Sequence, residues 1–388
     1  MKICIVCPRL CHGGAERVAV SLANGFVARG HEVFFFADLF EEQTFVLHNA
    51  VKVRNLVPQT NNKLLKWGGA IRLLRKELKK DKPDVIVGIM SLCSIVAQLA
   101  SMGLRIPVIA TEHNSYERPE TAHMPSFIKL YKFFLCKFFS CVTVLTEADK
   151  KVIGSRIKDV VVMPNPLALL PTESIPNKKK TILAAGRVDN WHVKGFDVLT
   201  RAFGKLVQGL KSKVQDEGWK LVIAGVWRGA ETRIYLDGIA KECGVLDKIE
   251  YTGFVSDMQK LYAESSIFVL SSRYEGFGLV LIEAMSQGCA CIACDYKGRQ
   301  REIMCPEGQG SMFNVQGSNN KVELCETGIL CEPDDVEALA EAMKKMITDD
   351  EYRESVRAKA IERSKYYSIE NTMDRWEELL SSLQSKQS

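Results

Sequence analysis

Short apolar runs alternate with amphipathic stretches along most of the chain, the pattern of stacked β-α-β units around parallel sheets. In the first half the runs KICIVC (2–7), EVFFFA (32–37), DVIVGI (84–89), PVIAT (107–111), CVTVL (141–145) and VVVM (160–163) predict strands. Helical spacing between them predicts helices over 14–30, 63–80, 92–102 and 126–138. After the Pro-bearing stretch 163–180 the pattern restarts, with strands expected at 181–186, 220–225, 248–253, 266–272, 289–294 and 328–332. Helices are expected from about Leu279 and over 334–348, 351–366 and 368–384. Residues 304–327 follow neither period and are rich in Gly, Asn and Ser, so a long loop, functional or mobile, is expected there.

A restart behind a Pro-interrupted connector reads as a domain boundary. The expected fold is α/β: two doubly wound, Rossmann-like domains, 1–165 and 166–366, facing each other across a cleft, followed by a helical segment 367–388. Such sheets bind ligands outside the carboxyl ends of their strands, so the site is expected in that cleft. A length of 388 residues exceeds one compact core and agrees with two.

Composition removes several classes. With 46% hydrophobic and 26% charged residues and dispersed Gly and Pro, the chain is not disordered or collagen-like. No apolar run is long enough to span a bilayer, and the first ten residues are too short for a signal-peptide core, so a cytoplasmic location is expected. The 13 Cys include two Cys-x-x-Cys spacings, Cys4 with Cys7 and Cys291 with Cys294. Both lie in predicted strands, where residues three apart face opposite ways, so reduced core cysteines are expected rather than metal or redox pairs. Charge is uneven: 23 Lys plus Arg stand against 14 Asp plus Glu in 1–166, and 29 against 33 in the remainder. The basic first half favours an anionic partner such as a membrane surface, a nucleic acid or a phosphorylated acceptor.

The P-loop pattern is absent, and no G-x-G-x-x-G stands between a strand and a helix. Gly13-Gly14 follows the first strand and opens a helix, where backbone N–H groups and the helix N-terminus favour an anion, and both glycines are expected to bind the donor. In the second half, strand 266–272 runs into Glu275-Gly276-Phe277-Gly278 and a helix from Leu279, a second anion cradle, with Glu283 eight residues after Glu275. The apolar neighbours of Glu283 argue against a solvated position. Arg187 and Lys194 bracket the loop after strand 181–186, and a fork-shaped with a point-like cation suits a diphosphate.

Together, Gly-Gly-x-Glu after the first strand, Gly-Arg-x6-Lys-Gly, Tyr251-Thr252-Gly253-Phe254-Val255 and Glu275-Gly276-Phe277-Gly278 with Glu283 resemble the retaining GT-B glycosyltransferases of glycosyltransferase family 4. The similarity runs from Met1 to about residue 366. It implies a GT-B fold with an acceptor-binding first domain, a nucleotide-sugar-binding second domain and a C-terminal helix that crosses back to the first. By the same resemblance, Glu275 contacts the donor sugar and Glu283 the ribose. Arg187 and Lys194 grip the diphosphate without a metal, assisted by N–H groups of Phe277, Gly278 and Leu279. Gly253, Phe254 and Val255 meet the base, and His113 lies near sugar and acceptor. The segment 298–303 leading into 304–327 departs from many relatives and leaves the acceptor contacts open.

The activity implied is retaining transfer of a hexose or N-acetylhexosamine, from a UDP-sugar, to a lipid-linked glycan, lipopolysaccharide or capsular polysaccharide. The alternatives are a GT-B nucleotide-sugar epimerase and a non-catalytic nucleotide-sugar-binding protein. No cofactor and no metal are expected, since no Asp or His cluster at ligand spacing accompanies the diphosphate site. Basic amphipathic segments 63–80 and 127–139 make contact with an anionic membrane an expectation, with the protein peripheral on its inner face. No nucleic-acid partner is expected.

Overall fold

The computed structural model describes residues 1–11, 13–40, 43–115, 117, 130, 134–157, 159–173, 177–210, 218–306, 310–314 and 321–385. The chain divides into two units, Met1–Pro166 with Ile369–Ser388, and Leu167–Ser368.

The first unit is built on seven strands: β1 (Lys2–Arg9), β2 (Glu32–Asp38), β3 (Lys52–Asn55), β4 (Val85–Ile89), β5 (Val108–Thr111), β6 (Cys141–Val144) and β7 (Val160–Val162). They lie in the order β3-β2-β1-β4-β5-β6-β7, every pair parallel. The inner strands are apolar on both faces because helices cover both: β4 is buried at every position. Helix Ile369–Ser385 belongs to this unit. Its Trp376 meets Phe26 of helix Gly14–Ala28 edge-on at 5.8 Å, and Gly25 leaves room for Met373, whose sulfur would lie 2.5 Å from a Cβ there. Asp374 and Glu377 pair with Arg29 and His31, each at 2.6 Å.

The second unit carries β8 (Lys179–Ala185), β9 (Lys220–Ala224), β10 (Ile249–Gly253), β11 (Ser265–Leu270), β12 (Ala290–Cys294), β13 (Ser311–Asn314), β14 (Lys321–Cys325) and β15 (Gly328–Cys331). Their order is β10-β9-β8-β11-β12-β15-β14-β13. The first six in that order pair in parallel, whereas β14 runs antiparallel to both its neighbours. In each unit the order reverses beside its first strand, between β1 and β4 and between β8 and β11, the switch point at which doubly wound sheets take ligands.

Two expectations need correcting. Residues 304–327 are not a plain loop: Ser311–Asn314 and Lys321–Cys325 form an antiparallel hairpin on the sheet edge, paired from Ser311–Leu324 to Asn314–Lys321. Strand β3 also went unpredicted. It is an edge strand with charged Lys52 and Arg54, so it lacks the apolar run of a buried strand. The predicted helix 126–138 falls mainly outside the described residues. Its described end, Leu135–Phe138, is one 3-10 turn, with Cys136 and Phe139 buried and Phe134 and Phe138 exposed.

All thirteen cysteines are free thiols, and all but Cys243 and Cys305 are buried. Among the described residues no helix is long and apolar enough to cross a membrane.

Candidate functional site

The second unit places its predicted residues after β8, β10 and β11. After β8 the chain makes a 3-10 turn (Val188–Asn190) and the four-residue helix Trp191–Lys194, which stops at Gly195 in the left-handed region (φ 64°). A side chain at Gly195 would collide with the Ser271 carbonyl, its Cβ only 1.9 Å from that oxygen, so glycine lets the loop lie against the end of β11. Ser271 Oγ donates to the Lys194 carbonyl (2.8 Å) and the Arg273 N–H to that of Val193 (2.9 Å).

Lys194 Nζ, thus positioned, donates to Glu275 Oε2 at 2.7 Å, with Ser272 Oγ 3.4 Å from the same oxygen. Both side chains are about one-fifth exposed. Gly278, left-handed (φ 94°), caps helix Leu279–Ser286 without a side-chain acceptor, and that helix has no acidic residue in its first turn. Leu281 N–H donates to the Gly278 carbonyl (2.9 Å), while the N–H groups of Leu279 and Val280 have no intrahelical partner, so this terminus is electropositive and open to an anion. Phe277 is buried edge-on against Tyr367 (5.5 Å), which leaves its backbone for the turn. Arg187 is exposed, and its guanidinium makes no hydrogen bond or ion pair with the described residues. β10 ends at Gly253 (φ 70°), with Phe254 69% exposed and Val255 half-buried.

Glu283 sits apart from Glu275. It is buried (3% exposed) and accepts the Tyr262 hydroxyl hydrogen bond at 3.1 Å, so it is no solvated helix residue. Sequence reasoning did not find Tyr262, whose link to Glu283 spans 21 positions. It also missed Arg273. This guanidinium donates to both Asp197 oxygens (2.8 Å each), to Asp334 Oδ1 (2.5 Å) and to the His192 carbonyl (2.6 Å). Arg273 thereby fastens the loop that carries Lys194 to the end of β11. A lone arginine beside the Glu275 turn gave no signal of this, because its partners lie more than sixty positions away.

In the first unit, Gly13 and Gly14 do open a helix, as the pattern implied. Its N-terminus is already filled: Glu16 folds back over Gly13, where a Cβ would lie 1.8 Å from its Oε2. Arg9 Nε holds the other oxygen at 3.2 Å, and Glu16 is buried. The chain's own carboxylate therefore occupies the space beside Gly13.

His113 follows β5. Thr111 donates its hydroxyl proton to the Gly88 carbonyl (3.0 Å), and its oxygen lies 3.0 Å from His113 Nε2. His113 Nδ1 lies 3.2 Å from the Asn165 side-chain amide. Asn165 Oδ1 is the atom that faces Nδ1, and it accepts when that nitrogen carries a proton. Burial lowers this imidazole to a pKa of about 4, against a smaller upward pull from that hydrogen bond to Asn165. The ring is neutral at physiological pH, and both its nitrogens are engaged.

The family description Glycosyl transferases group 1 matches residues 169–363, and Glycosyltransferase Family 4 matches residues 12–169. The chain belongs to the GT-B glycosyltransferases of family 4. Among its relatives is an α-1,4-N-acetyl-D-galactosaminyltransferase of Campylobacter jejuni, named for a GalNAc-GalNAc-diNAcBac-PP-undecaprenol, 26% identical and covering 99% of both chains. The amylovoran biosynthesis glycosyltransferase AmsD of Erwinia amylovora is 26% identical over 95% of this chain and 96% of its own. In fold, this glycosyltransferase matches sucrose-phosphate synthase from Thermosynechococcus elongatus (TM-score 0.78, 19% identity, 99% of both chains). It also matches Anabaena HepE in complex with UDP (TM-score 0.75, 18% identity, 98% of this chain and 100% of that one).

Proposed function

We propose that this glycosyltransferase is a retaining, metal-independent enzyme. It moves a hexose or N-acetylhexosamine from a UDP-sugar to a lipid-linked glycan, lipopolysaccharide or capsular polysaccharide acceptor. The observation that carries this reading is the Lys194–Glu275 pair at 2.7 Å, beside a helix N-terminus that has no acidic residue of its own. The sugar–phosphate bond breaks through an oxocarbenium-like state, and negative charge grows on the departing diphosphate. Lys194, Arg187 and the leading N–H groups of helix Leu279–Ser286 stabilise that charge. Glu275 holds the sugar, Glu283 the ribose, and Gly253-Phe254-Val255 the base. The acceptor hydroxyl attacks on the face the diphosphate leaves, and its proton passes to a diphosphate oxygen, which gives retention. A relative acting on a diphospho-undecaprenol glycan supports a lipid-linked acceptor, and a neighbour in complex with UDP supports a uridine donor.

Helix Lys63–Asp81 supports peripheral contact with an anionic membrane. Only Ala70, Leu74 and Leu78 are buried, while Leu64, Leu65 and Leu73 are exposed among exposed Lys63, Arg72, Lys76, Lys79 and Lys80.

The test is a panel of nucleotide sugars offered with undecaprenyl-diphosphate glycans, with the anomeric configuration of the product read by NMR. Retention with a UDP-sugar is the expected result. Inversion, or a strict requirement for added Mg²⁺ or Mn²⁺, overturns the mechanism. Vesicle sedimentation that rises with anionic lipid and weakens on changing Lys76, Lys79 and Lys80 to Glu is expected, and equal partitioning to neutral vesicles removes the membrane contact.

A further inference from the structure

The hairpin β13–β14 is not used by the reaction described above, yet its base holds a group of metal-ligating atoms. Cys305 stands just past helix Arg299–Met304, and Glu323 and Cys325 lie on β14. One ligand atom from each falls within 4.8 Å of the others. Cys305 Sγ is 3.7 Å from Glu323 Oε1. A tetrahedral zinc, with bonds of about 2.3 Å to sulfur and about 2.0 Å to oxygen, sets these two atoms roughly 3.5 Å apart.

The surroundings fit a metal carboxylate that is itself hydrogen-bonded. Arg301 grips both oxygens of Glu323, Nη1 at 2.6 Å from Oε1, and the Gly310 N–H donates to Oε1 at 2.7 Å. These charged and backbone donors match an ionised carboxylate. Zinc binding conserves charge: one Zn²⁺ replaces two thiol protons, so the group of Arg301, Glu323 and Asp295, whose Oδ2 lies 3.3 Å from Arg301 Nε, keeps the same surrounding net charge in both forms.

We propose that Cys305, Glu323 and Cys325 form a structural zinc site, two thiolates and one carboxylate oxygen with water as the fourth ligand, which clamps the hairpin β13–β14 to the end of helix Arg299–Met304. One aqueous Zn²⁺ replaces the two thiol protons, and both leave to solvent with no oxidation or reduction.

The test titrates the full chain, purified under reducing conditions and stripped of metal, with Zn²⁺. Binding of one equivalent, release of two protons and a rise in Tm are expected, and Cd²⁺ should give a thiolate charge-transfer band. Cys305→Ser and Cys325→Ser should each weaken zinc at least about tenfold and reduce the cadmium band. Cys243→Ser, at the other partly exposed cysteine, should change neither. Lack of saturable zinc, no proton release, unchanged affinity in both serine variants, or a Cys305–Cys325 disulfide in the purified protein would overturn the site. Should the serine variants fail to fold, the proton count and cadmium band of the unmodified chain decide alone.

Discussion

Both units open a helix after a glycine turn at the switch point of a parallel sheet, and the two helix ends are chemically opposite. At Gly13-Gly14 the terminus is filled by Glu16, which Arg9 holds in place. At Gly276-Phe277-Gly278 the helix has no acid in its first turn. The same contrast holds for nearby polar groups. His113 has both nitrogens taken up by Thr111 and Asn165, while the Arg187 guanidinium is exposed without a partner among the described residues. A glycine turn before a helix therefore marks an available anion site only when the first turn contains no carboxylate that can fold back. The third helical position, Glu16 in one and Leu281 in the other, separates the two.

The largest expected effect comes from removing the groups of the open site. Lys194→Ala and Glu275→Ala should each lower transfer by at least about two orders of magnitude without unfolding the protein. Near-normal kcat/KM in either variant would erase the distinction between the units.

His113 tests the closed unit. Its folded pKa of about 4 lies below the ordinary value of 6.5. Between these values the unfolded chain binds a proton that the folded chain does not, so stability rises with pH across that window. The contribution is complete above the upper value and is lost as pH falls to the lower, by about 2 to 3 kcal/mol. Urea unfolding at a series of pH values should show this slope, flattened in His113→Asn. An equal slope in both would mean the ring is not held neutral.

A carboxylate can also be placed where the second unit lacks one. Val280→Asp puts an acid in the first turn of helix Leu279–Ser286 and should weaken UDP binding about tenfold, read by calorimetry. The smallest effect is expected from Glu16→Gln, which should cost about 1 kcal/mol of stability and leave UDP affinity within about twofold. A marked loss of UDP affinity in this variant would return Gly13 and Gly14 to the donor site.

Buried parts of the fold were readable from the sequence because their physics is local. Strands such as β4 and β12 are apolar at consecutive positions, and each carries its own signal. Edge strands do not. β3 is Lys-Val-Arg-Asn, and β13 and β14 depend on each other and on β15 for their definition, so no window of sequence contains the reason they form. The site divides in the same way. The Glu275 turn and the Lys194 loop were visible as glycine-bounded strand ends. The role of Arg273 exists only once Asp197 and Asp334 have been brought to it, and the hydrogen bond on Glu283 only once Tyr262 faces it. The closure of the first helix terminus was within reach, since Glu16 stands three residues after Gly13 at capping-box spacing.

The membership of helix Ile369–Ser385 in the first unit bears on how the chain is made. The ribosome completes the whole second unit before it synthesises the residues that cover helix Gly14–Ala28. Until then Phe26 lacks Trp376, and the hollow at Gly25 lacks Met373. The unit that begins first is therefore finished last, and throughout translation it carries an apolar strip that a chaperone or a neighbouring nascent chain can bind.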